Sequence, residues 1–191
     1  MCSPRRGSRS EGDAVRRTLI LVVLTALLPL RPALAALAPD HAPPLVAVFP
    51  LEVVDTSGEP PNPQWPARVP AITQLLADRL AASGQYRAVA AVPAGDGVPA
   101  HQCAACWRDP ARAAGAELAA IAVVQKMSTL IAALHVWLVE VATGKVAWQG
   151  AVSLRGDTDE AWRRAMDYLL RRGILAPEPG RQMLSSPFPG G

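Results

Sequence analysis

Two cysteines three positions apart carry the strongest chemical signal in this sequence. Cys103 and Cys106 form a Cys-x-x-Cys pair, and His101 lies just before them. Thiols at this spacing can pair as a structural disulfide, act as a redox-active dithiol, or bind a metal ion together with histidine. The three chemistries differ in what they require of the neighbouring residues.

The residues around the cysteines favour the structural disulfide. A thioredoxin-like site usually continues into a long helix, whereas Pro110 would shorten one here, and Trp107 stands where haem attachment requires histidine. A structural zinc ion needs four ligands, and the only further histidine of the predicted domain is His135, within a strand. We therefore predict a Cys103–Cys106 disulfide, no metal site and no cofactor. A redox-active dithiol remains the alternative.

Established catalytic motifs are absent from the sequence. It contains no paired-carboxylate motif, phosphate-binding loop, H-E-x-x-H motif or recognisable Ser-His-Asp arrangement. The tripeptide Arg155-Gly156-Asp157 matches an integrin-binding motif, but a turn at Gly156 and a helix cap at Asp157 explain it equally well. These observations favour binding over catalysis.

The first 35 residues have the layout of a secretory signal peptide. Arg16-Arg17 precede an apolar run over residues 19–30, and Ala33-Leu34-Ala35 forms an A-x-A cleavage site. The apolar run is short for a membrane span. We predict export by the general secretory or the twin-arginine route and cleavage after Ala35, which gives a periplasmic or secreted protein.

Removal of this leader changes the charge of the protein. The whole chain has 19 basic and 16 acidic residues, and the leader contains six of the former and two of the latter, so 13 basic and 14 acidic residues remain. A nearly neutral protein has no strong attraction for nucleic acid or anionic membranes. No later segment is long and apolar enough to span a bilayer, so we predict no stable membrane insertion after signal removal.

The remaining chain is long enough for one domain with disordered ends. Residues 36–44 are rich in Ala and Pro and predict a linker, and residues 176–191 are rich in Pro, Gly and Ser and predict a tail. Between them, the near-continuous apolar run 45–54 predicts a buried strand, and residues 56–66 a proline-rich loop. Trp65 is expected on this loop, exposed and able to anchor a partner.

Hydrophobic periodicity predicts the other elements of the domain at 45–175. A helix around Ile72–Leu80 leads to a strand at 86–92, and a short helix at 111–114 follows the cysteines. Strands at 118–126, 130–141 and 145–155 come next, the last with Val146 and Trp148 on the same face. A helix at 157–172 ends the domain, with Asp157 as its cap and a buried stripe of Trp162, Ala165, Met166 and Leu169.

This order, β-α-β-α-β-β-β-α, predicts a single-domain α/β fold with a mixed, five-stranded sheet. Two crossovers make the first three strands parallel, and two hairpins make the fourth antiparallel. Four connections then gather at the carboxyl edge of the sheet, where open α/β sheets bind ligands. We predict a binding site there, or an equally plausible set of mutual ion pairs, formed by Asp55, Ser57, His101, Lys126, Arg155 and Asp157.

Two strings in the sequence resemble those of a known family. Val124-Gln125-Lys126-Met127-Ser128 and the segment 155–162, with the sequence RGDTDEAW, are similar to a family of secreted bacterial proteins known only as a domain of unknown function. The element order resembles the TolB amino-terminal domain and the CsgG and LpoB envelope proteins. The resemblance implies a fold and an extracytoplasmic location but no activity.

Together these features favour a secreted or periplasmic binding or envelope-accessory protein without catalytic activity. Its expected partner is an envelope protein or a glycan. A periplasmic thiol-disulfide protein that uses Cys103 and Cys106 is the alternative, and it requires an exposed, activated thiol.

Overall fold

A six-stranded mixed sheet with helices on both faces organises this domain. The computed structural model describes residues 42–95 and 97–176. The strands are β1 (Leu45–Val48), β2 (Glu52–Asp55), β3 (Arg87–Ala90), β4 (Leu118–Lys126), β5 (Ile131–Glu140) and β6 (Val146–Arg155). The helices are α1 (Trp65–Ala82), α2 (Ala104–Ala113) and α3 (Asp159–Leu169), with a 3₁₀ turn at Ala100–Gln102 and a π-helical turn at Leu170–Ile174.

The predicted α/β fold class is confirmed, but the sheet has six strands rather than five. The apolar run at 45–54 forms both β1 and β2, which are separated by Phe49, Pro50 and Leu51. Pro50 has no backbone N–H for a sheet ladder. The N–H of Leu51 turns away to donate to Thr73 Oγ1 on α1 (2.9 Å).

The strand directions agree with the predicted topology. The main order is β3-β1-β4-β5-β6, and β2 pairs with β4 beyond the end of β1. The β1–β3, β1–β4 and β2–β4 pairs are parallel, whereas β4–β5 and β5–β6 are antiparallel. The carboxyl ends of β1, β2, β3, β4 and β6 therefore point toward one edge, which we call the carboxyl edge.

Each face of the sheet has its own hydrophobic core. Residues of α1, α3 and the π-helical turn pack with alternate residues of β4 and β5, such as Val124 and Leu134, on one face, which we call the α1/α3 face. Trp107 and Ala111 of α2 pack with Ile121 and Trp137 on the other, which we call the α2 face. Successive side chains of a strand point to opposite faces of the sheet. Neighbouring residues of β2 or β4 therefore contact different helices.

An irregularity in β6 corrects one predicted orientation. The β5–β6 register shifts between Leu138 and Val139, so that Trp148 lies opposite Leu138 and Val146 opposite Val139. Trp148 packs with the core of the α1/α3 face, but Val146 packs with that of the α2 face. The prediction that both share a face is wrong, because a bulge shifts the alternation by one residue.

Helix boundaries differ from the predictions where caps and prolines decide them. The cap of α3 is Thr158, whose side chain accepts from the N–H of Ala161, so Asp157 is not the cap. Helix α1 begins at Trp65, inside the predicted loop, and Trp65 is partly buried against the core rather than fully exposed.

Helix α2 is longer than predicted because Pro110 is accommodated within it. In a regular helix the N–H of residue 110 would donate to the carbonyl of Cys106, but proline has no N–H. The Cys106 carbonyl accepts from the N–H of Ala94 instead (2.8 Å). The buried stripe of α3, Trp162, Ala165, Met166 and Leu169, is as predicted.

Among residues 42–95 and 97–176, no helix combines the length and apolar character that crossing a membrane would require. The predicted signal peptide (1–35) lies outside the described residues, as do most of the predicted linker (36–44) and of the predicted tail (176–191).

Candidate functional site

The two cysteines form a disulfide at the start of α2. Cys103 caps this helix, since its Sγ accepts from the N–H of Cys106 (3.2 Å). Cys106 is almost fully buried. The pair thus closes the helix end against the loop that precedes it.

His101 belongs to a different contact from the cysteines. Its Nδ1 is paired with Glu52 Oε2, and the backbone N–H of Ala100 donates to the other oxygen of that carboxylate. Within residues 42–95 and 97–176, no group of three or more His, Cys, Asp or Glu side chains is placed to hold a metal ion.

A buried lysine forms the centre of what we call the Lys126 cluster, which comprises Asp55, Ser57, Glu59 and Lys126. Lys126 is only 4% exposed at the end of β4. Its Nζ lies 2.9 Å from Glu59 Oε2, 3.1 Å from Ser57 Oγ and 3.5 Å from Asp55 Oδ2. Asp55 and Lys126 are the last pair of the parallel β2–β4 ladder, so the sheet register brings them together.

The electrostatics of the Lys126 cluster keep Asp55 and Lys126 in their charged forms. Hydrogen bonds from the Ser57 hydroxyl and backbone N–H, aided by Lys126, lower the pKa of Asp55 despite some desolvation. The hydrogen bond to Glu59, together with the charges of both carboxylates, raises the pKa of Lys126 against the opposing effect of burial. A nucleophilic lysine or a general base needs shifts of the opposite sign.

A second group, the Asp157 cluster, comprises Asn62, Trp65, Arg68, Asp157 and Trp162. The Asp157 carboxylate accepts from Asn62 Nδ2 (2.8 Å), from the indole N–H groups of Trp65 and Trp162 (both 3.0 Å) and from Arg68 Nη1 (2.5 Å). Arg68 also contacts Asp159 through Nε and Gln64 through Nη2. Each polar group of this cluster is therefore satisfied by another part of the chain.

Trp65 connects the two clusters. Its indole N–H donates to Asp157, and Lys126 Nζ lies 5.5 Å from the centroid of its ring, within range of a cation–π contact. The start of α1 is thereby attached both to the end of β4 and to the connection between β6 and α3.

Of the six residues predicted at the carboxyl edge, the structure brings four together. Asp55, Ser57 and Lys126 share one cluster, and Asp157 is in the adjoining one. His101 is on the other side of the sheet, because its partner Glu52 alternates with Asp55 along β2. Arg155 is exposed, and its side chain makes no hydrogen bond or ion pair with another described residue.

Sequence reasoning missed Glu59, Asn62 and Arg68, which complete the two clusters. Arg68 had a usable signal: it lies four positions before Ile72, on the buried stripe of α1. Glu59 and Asn62 had none, since a proline-rich loop has no periodicity from which to infer a direction.

Three apolar side chains protrude beside the Lys126 cluster, and we call them the apolar tip: Met127, Leu130 and Ile131. They are 46%, 72% and 55% exposed, at the turn between β4 and β5. The N–H groups of Met127 and Ser128 both donate to the carbonyl of Ile131 (3.0 and 3.1 Å). The N–H of Thr129 donates to Glu59 Oε1 (3.2 Å), so the Lys126 cluster also holds the turn.

The fold and these clusters define a single-domain α/β protein with a mixed sheet and ion-paired groups at its carboxyl edge. The chain belongs to the family DUF3280, described as "Protein of unknown function (DUF2380)", whose profile matches residues 44–174. This confirms the membership in a domain-of-unknown-function family that the sequence strings predicted. No curated protein matches this sequence.

Several solved structures have a related backbone. The LpoB C-terminal domain from Salmonella enterica has 16% identity and a TM-score of 0.44, with 62% of this chain and 87% of that one covered. A PelC dodecamer from Paraburkholderia phytofirmans has 14% identity and a TM-score of 0.46, with 68% and 86% covered. TolB from Acinetobacter baumannii has 16% identity and a TM-score of 0.39, with 69% and 28% covered. No function is transferred from likenesses at this level.

Proposed function

We propose that this protein is an extracytoplasmic, non-catalytic binding or envelope-accessory domain that contacts a partner protein through the apolar tip and Arg155. The observation that carries the proposal is the exposure of Met127, Leu130 and Ile131 on a turn that is firmly held. Arg155 lies directly opposite Ile131 in the β5–β6 ladder and adds a charge beside the apolar group.

The physical support is preorganisation. Exposed apolar side chains that gather in one place mark interaction surfaces more often than singly scattered ones do. A turn held by hydrogen bonds to Ser128, Ile131 and Glu59 loses little conformational entropy when it binds. An apolar tip of this kind suits a protein partner better than a glycan, which offers many hydroxyl groups.

The chemistry of the edge favours binding over catalysis. The pKa of Asp55 is lowered and that of Lys126 is raised, so both groups hold their charge rather than exchange protons near neutral pH. The disulfide lies at the amino terminus of α2, with Cys106 nearly buried and Cys103 partly exposed. This position suits a structural staple, and insulin reduction that depends on Cys103 would instead support the thiol-disulfide alternative.

The proposed location rests on the leader pattern and on the disulfide, which persists in oxidising compartments. Amino-terminal sequencing of the protein recovered from a periplasmic extract should begin at Ala36. Full-length protein retained in the cytoplasm would contradict the location without affecting the binding proposal.

The binding proposal is tested by placing a photo-crosslinking amino acid at position 130 in cells. A matched control carries it at Val92, which is 74% exposed beyond the carboxyl end of β3. We expect a discrete crosslinked protein from position 130 that is absent from position 92 and weakened by Ile131→Ser. Identical patterns from both positions would rule out the apolar tip as the contact surface.

A further inference from the structure

Within the part of the chain that the structure describes, strand β6 leaves one long edge of the sheet open. It ends the strand order, and among the described strands only β5 pairs with it. Its residues from Trp148 to Leu154 include neither proline nor a charged side chain. Natural proteins usually protect an edge strand with such residues, because its free N–H and C=O groups can pair with another strand.

A groove runs beside this open edge. It lies between β6 and α3 and has a volume of about 400 Å³. Val152 and Leu154 of β6 and Ala161 and Ala165 of α3 give it apolar walls, and half-exposed Tyr168 stands at its rim.

The described residues that line this groove carry charge of one sign. Arg155 and Arg164 are the charged residues among them. Arg164 pairs with Glu160 one helical turn away, but both side chains are largely exposed, and such pairs are weak and readily exchanged. Positive charge therefore flanks β6 at this groove, with Arg164 on the α3 side and Arg155, next to the core residue Leu154, on the opposite side of the strand.

We propose that β6 and this groove bind an extended, acidic segment of a partner protein as an added strand. The proposal rests on the proposed binding function and names the chemistry of the partner. Backbone groups of the segment would pair with β6, while its alternate side chains enter the groove, which is a general mode of peptide recognition. An acidic residue near the end of the segment would meet Arg155, beside the apolar tip.

A second copy of this chain fits the same edge less well. Two β6 strands paired antiparallel about Gly150 would bring Lys145, just before β6 in each chain, close to Arg155 of the other chain. Like charges brought together across a strand pair destabilise it. A heterologous acidic segment avoids this repulsion.

The test uses two synthetic peptides and the whole protein as it is purified after export. One peptide alternates valine and threonine between two glutamates, and its twin has lysines in place of the glutamates. We expect the acidic peptide to shift and protect backbone amides of residues 148–155 in NMR and hydrogen-exchange spectra, and the lysine twin to have no effect.

Variants locate the interaction. Arg155→Glu and Tyr168→Ala should each weaken binding of the acidic peptide about tenfold. The control Arg163→Glu changes an exposed arginine of α3 that does not line the groove, and it should bind like the wild type.

Three results would overturn the proposal: no response of β6 to the acidic peptide, equal binding of both peptides, or a concentration-dependent dimer that protects β6 without peptide. Failure of the proposed function has a different signature, which is the absence of specific crosslinks from position 130. Crosslinks from position 130 with no response of β6 would remove the strand-addition proposal alone.

Discussion

Arg68 and Asp157, 89 positions apart in the sequence, form a charge-paired contact beneath the protein surface, with Nη1 2.5 Å from Oδ1. The Arg68 side chain is only 1% exposed. The pair ties α1 to the connection between β6 and α3, so it fixes how two helices lie on the sheet. Asp157, the last residue of the Arg155-Gly156-Asp157 segment, therefore has a structural function in this fold.

Asp157→Ala should destabilise the protein strongly. Removal of this carboxylate leaves the buried Arg68 guanidinium with the exposed Asp159 as its only charged partner among the described residues, and breaking a buried pair on one side costs about 3 kcal/mol. Urea unfolding measures the loss. The control Asp159→Ala removes a partner whose side chain is 69% exposed and should cost less than about 1 kcal/mol. Equal losses in the two variants would contradict the central place of Asp157.

Lys126→Ala should also lower the free energy of unfolding, because it leaves the carboxylates of Asp55 and Glu59 facing each other. The exposed Lys145 offers the control, and Lys145→Ala should unfold like the wild type. Loss of Lys126 should also raise the pKa of Asp55 in an NMR titration, although Ser57 remains to hold it low. A variant as stable as the wild type would show that this cluster does not stabilise the fold.

His135 should make the protein less stable in mild acid. Partial burial lowers the pKa of this imidazole from its ordinary value of 6.5. Below pH 6.5 the unfolded chain therefore binds a proton that the folded chain resists, so stability falls as the pH drops from 6.5 toward the lower folded pKa. Unfolding measured at pH 7.5 and at pH 5 should show this loss, and His135→Gln should reduce it. A folded-state pKa at or above 6.5 by NMR would contradict the sign.

Replacement of both cysteines by serine should lower stability without removing an activity. Closure of so short a loop by a disulfide contributes about 2 kcal/mol through the unfolded chain. Urea unfolding with and without reductant should show this difference in the wild type alone. Insulin reduction assays should give no catalysis for either protein, and rapid turnover that depends on Cys103 would instead support the thiol-disulfide alternative.

Local patterns were sufficient for most elements of this fold. The apolar run of β4 and the stripe Trp162, Ala165, Met166 and Leu169 of α3 both appear where periodicity predicts them. The crossover and hairpin rules also gave the correct strand directions, because they depend only on the order and spacing of elements. Local exceptions, at Pro50 and at the bulge of β6, produced the errors in strand number and in the face of Val146.

The composition of the carboxyl edge was predictable only in part. The pairing of Asp55 with Lys126 follows from two strand ends that meet in a parallel ladder. The separation of His101 from that group follows from the alternation of Glu52 and Asp55 along β2, which requires knowledge of where β2 begins.

Most elements, their order and the family follow from the amino-acid sequence, because these depend on residues close together in the chain. Three features emerge only from the three-dimensional packing: Arg68 pairs with Asp157, Glu59 holds the β4–β5 turn, and the apolar tip is exposed beside them. Such contacts join residues far apart in sequence. Their geometry depends on how α1 packs across the sheet, and that packing is set by the whole core rather than by any local pattern.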